Sequence, residues 1–441
     1  MTYIAKGDST FDLSDQELDH LFSEGLAKAL SDKAKTGTVL ILPPDGTRFH
    51  SRAGYFTDLA YRELKDRLGA VMPALGTHFP MTKENLQRMF PKIPLNKFRV
   101  HNWRNEIVEL GRLSADWIEN ISKGTVCYDW PVQVNKALRD GGFSMILSIG
   151  QVVPHEVVGM ANHTKNVFVG TGGKEAINKS HFVGACYGME KIMGRIDTPV
   201  RTMFDEGYNR FSNLLPPILW VLTVVSARSE IESADKGKPK GSLAVRGLYI
   251  GFGRECFEMA SKLSQEVNVN ILDEPIKKAV VYLEPEEFRS TWLGNKAIYR
   301  TRMAMEDNGE LLILAPGLET FGEDPGNDIL IRKYGYKPSK AIQEKVKNDP
   351  ELAHSLGVAA HLIHGSSEGK FHITYCTGQG ISKEEIESVG YDYGDLKSAM
   401  LRYDIEKLNL GWNTMPDGEK IFFVSNPALG LWAEKKRFCG I

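Results

Sequence analysis

The sequence predicts an α/β protein made of two Rossmann-like α/β domains, with the active site in the cleft between them. Short β-branched runs alternate with stretches of helical periodicity along the whole chain, the pattern of α/β architecture. A chain of 441 residues is longer than one hydrophobic core ordinarily organises, so at least two cores are expected. A new strand begins after a helix near "ILDEPIKKAVVYLEP" (271–285), which places the boundary there. The expected division is 1–272, an N-terminal catalytic and cofactor-binding domain, and 273–410, a C-terminal domain, with 411–441 packing back onto the first.

The elements follow in order. "TVLIL" (38–42) reads as a buried strand ending in the turn "PPDG", and "MTKENLQRMF" (81–90) as a helix capped by Thr82. "SMILSIG" (144–150) is a second buried strand, ending just before "QVVPHE". Ligands of α/β sheets bind outside such strand ends, so the loops that follow them are the first places to look for a site. The polar segment "IESADKGKPKGS" (231–242) reads as an exposed hairpin, and "ELLILAPG" (310–317) and "KFHITYCTG" (370–378) as strands of the second unit. "KIFFVSNPALGLW" (420–432) reads as a strand crossing back to the first domain.

Composition narrows the function. A net charge of −2 with 42% hydrophobic and 25% charged residues gives no electrostatic footprint for nucleic acid. The longest apolar run, 218–227, is about half of what a membrane helix needs, and "MTYIAKGDST" lacks the apolar stretch of a signal peptide, so a cytoplasmic protein is expected. Five cysteines without a CxxC pair argue against a disulfide framework or a structural zinc site.

Two glycine motifs invite a nucleotide. "VGTGGKE" (169–175) is not a Walker loop, because Phe168 stands where glycine is needed and Glu175 where Ser or Thr is needed. Gly172, Gly173 and Lys174 remain candidates for a backbone cradle that would hold a cofactor phosphate. "YIGFGREC" (249–256) follows a strand, with Asp273 twenty residues after Gly253, but Cys256 occupies the third fingerprint position. An NAD-dependent hydroxyacid dehydrogenase is the alternative it offers.

The histidines say more. His78 and His155 each follow a predicted buried strand, and the turn "PDGTR" supplies Asp45 and Arg48 after another. Arginine can grip a carboxylate in a bidentate fork, and two imidazoles near neutrality can each move a proton. That set suits acid/base chemistry on both faces of a small acid. In "AAHLIHGSSEG", His361 and His364 fall on one face of a helix, open to a metal, to substrate or simply to packing.

On these residues the chain resembles the nickel-pincer lactate racemase family of 2-hydroxyacid racemases and epimerases. "DGTR" matches the family's D-x-T-R turn, and "LGTHFP" its T-G-x-H-R-P, with Phe79 in place of Arg. His155, Gly159, Lys165 and His181 reproduce the family's intervals of four, ten and then sixteen residues. The resemblance implies that Arg48 binds the substrate carboxylate, that His78 and His155 are the acid/base pair, and that Lys165 bonds to the cofactor, with Lys174 a second candidate. It implies His181 as the protein ligand to nickel, and Asp45 beside the cofactor. Lys296 falls where a family lysine contacts substrate or cofactor, with Trp292-Leu293 in place of a Tyr-Gln pair. The implied cofactor is a nickel-pincer nucleotide, pyridinium-3,5-bisthiocarboxylic acid mononucleotide nickel, supplied by cofactor-biosynthesis proteins. The implied reaction inverts C2 by removing hydride and restoring it through a transient 2-keto acid. The polar groups around His361 and His364, with the changes at Phe79 and Trp292, favour a sugar acid over lactate. A sugar-acid-binding protein without turnover is the non-catalytic alternative.

Overall fold

Ser14 starts the first long helix, Asp15–Lys33, with a capping box in which its hydroxyl and the Glu17 carboxylate satisfy each other's backbone amides. Leu18, Phe22, Gly25, Leu26 and Ala29 are buried on one face of it, at helical spacing. Phe22 packs with Phe56 of the next helix, Ala53–Leu64, against the sheet below. Each such large side chain contributes about 1.5–3 kcal/mol by burial, and Phe22→Ala would cost about 3–5 kcal/mol. The computed structural model describes residues 1–239 and 242–440.

The chain divides into two units, 1–180 with 192–268 and 181–191 with 269–441. The second unit thus begins its main stretch at residue 269, and the short stretch 181–191 groups with it.

The sheet of the first unit has six strands in the order Thr2–Gly7, Leu243–Gly251, Ile218–Ala227, Met145–Gln151, Val39–Leu42, Leu68–Val71. The last four are parallel, and Leu243–Gly251 runs antiparallel to both of its neighbours. Val39–Leu42 and Met145–Gln151 are buried throughout, as expected for largely apolar strands of a sheet covered on both faces. From Val39–Leu42 the chain passes to one side, and from Met145–Gln151 to the other. The crevice at their carboxyl ends is the topological switch point, where α/β sheets bind ligands. Segment 231–242 joins two antiparallel strands as expected, beginning with a short helix at Glu230–Asp235; its residues 240 and 241 lie outside the described ones.

The second unit has its own six-stranded sheet, ordered Asp392–Asp395, His372–Thr377, Met305–Ala315, Ile276–Tyr282, Lys420–Val424, Gly411–Thr414. All pairs are parallel except the last. Here the expectation for 411–441 is corrected. Lys420–Val424 lies inside this sheet, between Ile276–Tyr282 and the edge strand Gly411–Thr414, and Leu431–Glu434 pairs with Val269–Leu272, also of the second unit. Ile421, Phe422, Phe423 and Val424 are buried on both faces, so this run belongs to a covered parallel sheet and not to an external strap.

Candidate active site

Three loops leave the carboxyl ends of adjacent parallel strands in the first unit, and each carries residues singled out above. After Val39–Leu42 come Asp45 and Arg48, after Leu68–Val71 comes His78, and after Met145–Gln151 come His155 and Lys165.

Asp45 is buried and Oδ2 lies 2.7 Å from Nδ1 of His78, while its other oxygen takes the backbone amide and hydroxyl of Thr47. Burial alone would raise the Asp45 pKa. The bond and charge of His78, with the Thr47 donors, outweigh it and hold the carboxyl below its ordinary value. An ionised Asp45 accepts from Nδ1–H and leaves the lone pair of Nε2 on the other edge of an exposed ring. Asp45 was expected beside the cofactor; its position is that of an orienter of His78.

His155 is held the opposite way. Its ring is buried, and Nδ1 accepts from the Val157 amide at 3.2 Å, so in the neutral ring the hydrogen sits on Nε2. The Glu156 carboxylate stands 3.9 Å from the same Nδ1. The loop bends back through a two-residue ladder, Pro154–His155 against Gly159–Met160. Gly159 has φ +88°, and a Cβ there would lie 2.2 Å from the carbonyl oxygen of Arg195, so the position admits only glycine.

Lys165 sits on the short helix Thr164–Phe168. The next residue, Asn166, is buried and donates to the Leu42 carbonyl at 3.1 Å and to Ser148 Oγ at 2.9 Å, pinning this helix to both strands of the switch point. Burial lowers the Lys165 pKa to about 8, helped by the positive charge of Arg48 and opposed by Glu156 and Asp45. Neither Lys165 nor Arg48 has a side-chain hydrogen bond or ion pair among the described residues. Two half-buried cations that repel each other, with no hydrogen-bonded partner among the described residues, have the chemistry to hold an anion.

The glycine run is built differently from its expected role. The amides of Gly170, Thr171 and Gly172 donate to the carbonyls of Lys165, Val167 and Val169. The Gly172 carbonyl receives Nε2 of buried His101, whose Nδ1 takes the Asn135 amide, and burial pushes the His101 pKa down to about 4. The Gln133 carbonyl lies against Gly173 and accepts from Ala176 at the start of the next helix. The Gly172 amide and carbonyl are therefore both engaged within the protein, the Gly173 carbonyl accepts from the Ile177 amide, and Lys174 is exposed.

The "YIGFGREC" reading fails on topology. Leu243–Gly251 is antiparallel to its neighbours, and a Cβ on Gly251 would meet the Met1 carbonyl at 2.5 Å, so the paired N-terminal strand fills the approach a pyrophosphate would need.

In the second unit, His361 and His364 are both buried on the helix Leu356–His364. Both ring nitrogens of His361 are occupied, by the hydroxyls of Tyr299 and Tyr336 at 3.0 Å each, and the ring stacks on Trp292. Burial takes its pKa down to about 3. His361 thus has no nitrogen for a substrate, and Trp292 spends its face on that ring. His364 packs edge-on to Tyr299, and its carbonyl accepts from Arg302. Lys296 lies over the Phe288 ring, 5.5 Å from its centre. His181 is half-buried on the helix Lys174–Tyr187, in the stretch grouped with the second unit.

Sequence reasoning missed Asn166, Glu156 and His101. Asn166 and Glu156 stand next to residues that were chosen, and His101 carried no local signal.

Residues 15–192 match the family described as the lactate racemase N-terminal domain. No curated protein matches the chain. Among solved structures, a structural-genomics crystal structure of a Thermotoga maritima protein is similar with TM-score 0.76 and 24% identity, over 95% of this chain and 98% of that one. The lactate racemase apoprotein from Thermoanaerobacterium thermosaccharolyticum is similar with TM-score 0.64 and 13% identity, over 98% of this chain and 94% of that one. At these identities the two structures speak for the fold. Among the described residues no helix is long and apolar enough to cross a membrane, and no cluster of three or more His, Cys, Asp or Glu could hold a metal ion.

Proposed function

We propose that this chain, whose residues 15–192 match the lactate racemase N-terminal domain, is a member of that family and a racemase or epimerase that inverts C2 of a 2-hydroxyacid. The observation that carries this is the pair Arg48 and Lys165, half-buried cations without protein partners at the switch point, flanked by two imidazoles in complementary hydrogen-bonded states. Arg48 would hold the substrate carboxylate in a bidentate fork. His78, with Nδ1 committed to Asp45, would accept the hydroxyl proton at Nε2. His155 would serve the opposite enantiomer.

The C2 hydrogen beside a carboxylate is a poor acid, so hydride removal is the easier route. The nickel-pincer nucleotide, when bound, supplies the hydride acceptor and donor. Lys165 fits such a group, since an amine lowered toward neutrality and lacking a protein partner is a nucleophile able to bond to it. His181 is the proposed nickel ligand, and cofactor-biosynthesis proteins are the proposed suppliers. A sugar acid such as an aldonate is the proposed substrate.

The test loads the protein with cofactor and nickel, incubates it with a panel of chiral 2-hydroxyacids and aldonates, and follows epimers by chiral chromatography. Interconversion that is lost in His78→Ala and in His155→Ala is expected. A loaded protein inert across the panel would remove the basis for the proposal, and full nickel retention in His181→Ala would remove that ligand assignment.

A further inference from the structure

Arg201, on the helix Pro199–Phe211, is completely buried in the first unit. Nη1 donates to Thr164 Oγ1 at 2.7 Å, and Nη2 donates to the carbonyls of Met160 at 2.6 Å and Asn162 at 3.1 Å. Its guanidinium lies 4.2 Å from the centre of the Phe257 ring. One turn further on, Asp205 accepts from the Thr164 hydroxyl at 2.6 Å and from Arg254 at 2.7 Å. Among the described residues every side-chain hydrogen bond of Arg201 goes to the stretch 160–164, which immediately precedes Lys165, while the Asp205 carboxylate stands 4.0 Å from Nη1.

That stretch needs holding. Asn162 has φ +70° and His163 has φ +55° with ψ −135°, two consecutive non-glycine residues in the left-handed half of backbone space. Such conformations cost on the order of 1–3 kcal/mol each and persist only where surrounding structure imposes them. Taking a guanidinium out of water is itself expensive. A charge buried to bond three groups of one strained loop is a clamp, and the clamp ends at the residue that starts the lysine's helix. On the far side of Lys165, Asn166 is tied to Leu42 and Ser148.

We propose that Arg201 is a positioning residue for Lys165, fixing its amine beside Arg48 by clamping residues 160–164 through their carbonyls and the Thr164 hydroxyl. This rests on Lys165 being the cofactor-bonding amine. Arg201 touches neither substrate nor cofactor. The charged groups that act on the amine are Arg48, Glu156, Asp45 and Arg201 itself, and the placement of the loop sets how strongly each is felt.

The experiment uses the apo protein. Trinitrobenzenesulfonate labels neutral amines, and peptide mass spectrometry reads Lys165 and exposed Lys174 separately across the alkaline range. In wild type, Lys165 should label with a midpoint near 8. In Thr164→Val, and in Arg201→Lys, which keeps the charge but loses the fork, Lys165 labelling at the wild-type midpoint should fall at least about five-fold as its pKa returns toward that of an ordinary lysine. Lys174 labelling should not change. Folded variants in which Lys165 labels like wild type would overturn the proposal, as would full rescue by Arg201→Lys. Should Arg201→Lys fail to fold, Thr164→Val, which removes one hydroxyl, decides alone. If wild-type Lys165 labels like a surface lysine, the cofactor-bonding assignment itself fails, an outcome seen before any variant is made.

Discussion

Asp45 Oδ2 lies 2.7 Å from His78 Nδ1, and this bond decides which nitrogen of His78 is free to act as a base. Asp45→Asn keeps the size but replaces a charged acceptor by an amide that can donate to Nδ1, so the ring hydrogen moves to Nε2. The expected result is a fall in kcat of about 10²–10⁴-fold, the span of general acid/base catalysis, with a smaller change in KM. An Asp45→Asn enzyme with wild-type kcat would reduce Asp45 to a loop fastener.

The same pair makes a pH prediction. The Asp45 carboxyl is lowered in the folded state, so its stabilisation is complete above the ordinary aspartate pKa and is lost as pH falls through the lowered value. The melting-temperature gap between wild type and Asp45→Asn should be constant near neutrality and close below about pH 4. A gap that widens in acid would contradict the sign.

Lys165 runs in the other direction. Its folded pKa, about 8, is below the unfolded value of 10.5, so at neutral pH the charged amine is buried at the expense of stability. Between those values the unfolded chain binds more protons, and stability rises with pH. Lys165→Met should therefore stabilise the apo protein at pH 7, on the order of 1–3 kcal/mol, with the advantage shrinking as pH climbs through this window. Denaturant melts of the two proteins across that window would measure it, and a destabilised Lys165→Met would count against the lowered pKa.

Much of this was legible in the sequence, and the losses have physical causes. The buried strands Val39–Leu42 and Met145–Gln151, and the Thr82 cap, were visible because apolar runs and caps are local signals. The choice of Asp45, Arg48, His78 and His155 at strand ends followed from the same signals, whereas Lys165 was reached only through the family's intervals. Partnership was not local. Nothing in "VGTGG" tells that the amides of residues 169–172 turn back onto Lys165, Val167 and Val169, or that His101 covers Gly172. For the same reason "HLIHG" looked like a ligand set, although Tyr299 and Tyr336, far off in sequence, consume both nitrogens of His361. The run 420–424 was read as a return to the first domain because a parallel strand's neighbours cannot be told from its own residues.

The network around His361 separates structure from binding. Tyr336→Phe removes the hydroxyl from Nε2 of a buried ring and from Thr291, leaving groups unsatisfied. The expected cost is about 1–3 kcal/mol of stability, with KM for the best substrate unchanged. If KM rises several-fold while the melting temperature holds, His361 contacts substrate after all.

His155 and Glu156 give the sharpest test of two-sided catalysis. For His155 to return a proton to a substrate oxygen it must first be an imidazolium, and the second hydrogen must sit on Nδ1. That nitrogen now accepts from the Val157 amide, so protonation turns an attraction into a clash of two donors. The Glu156 carboxylate, 3.9 Å from Nδ1, is the acceptor able to take the new hydrogen after a small ring rotation. Glu156→Gln weakens that acceptor without touching His78. The equilibrium constant ties the kcat/KM values of the two directions together, so the damage must appear in kcat of each direction separately. The direction that starts with His155 as donor should slow more, and its pH profile should shift toward acid, because His155 would hold its proton less well. Equal losses in both directions, with unshifted profiles, would mean that Glu156 only tunes Lys165 and that His155 donates by another route.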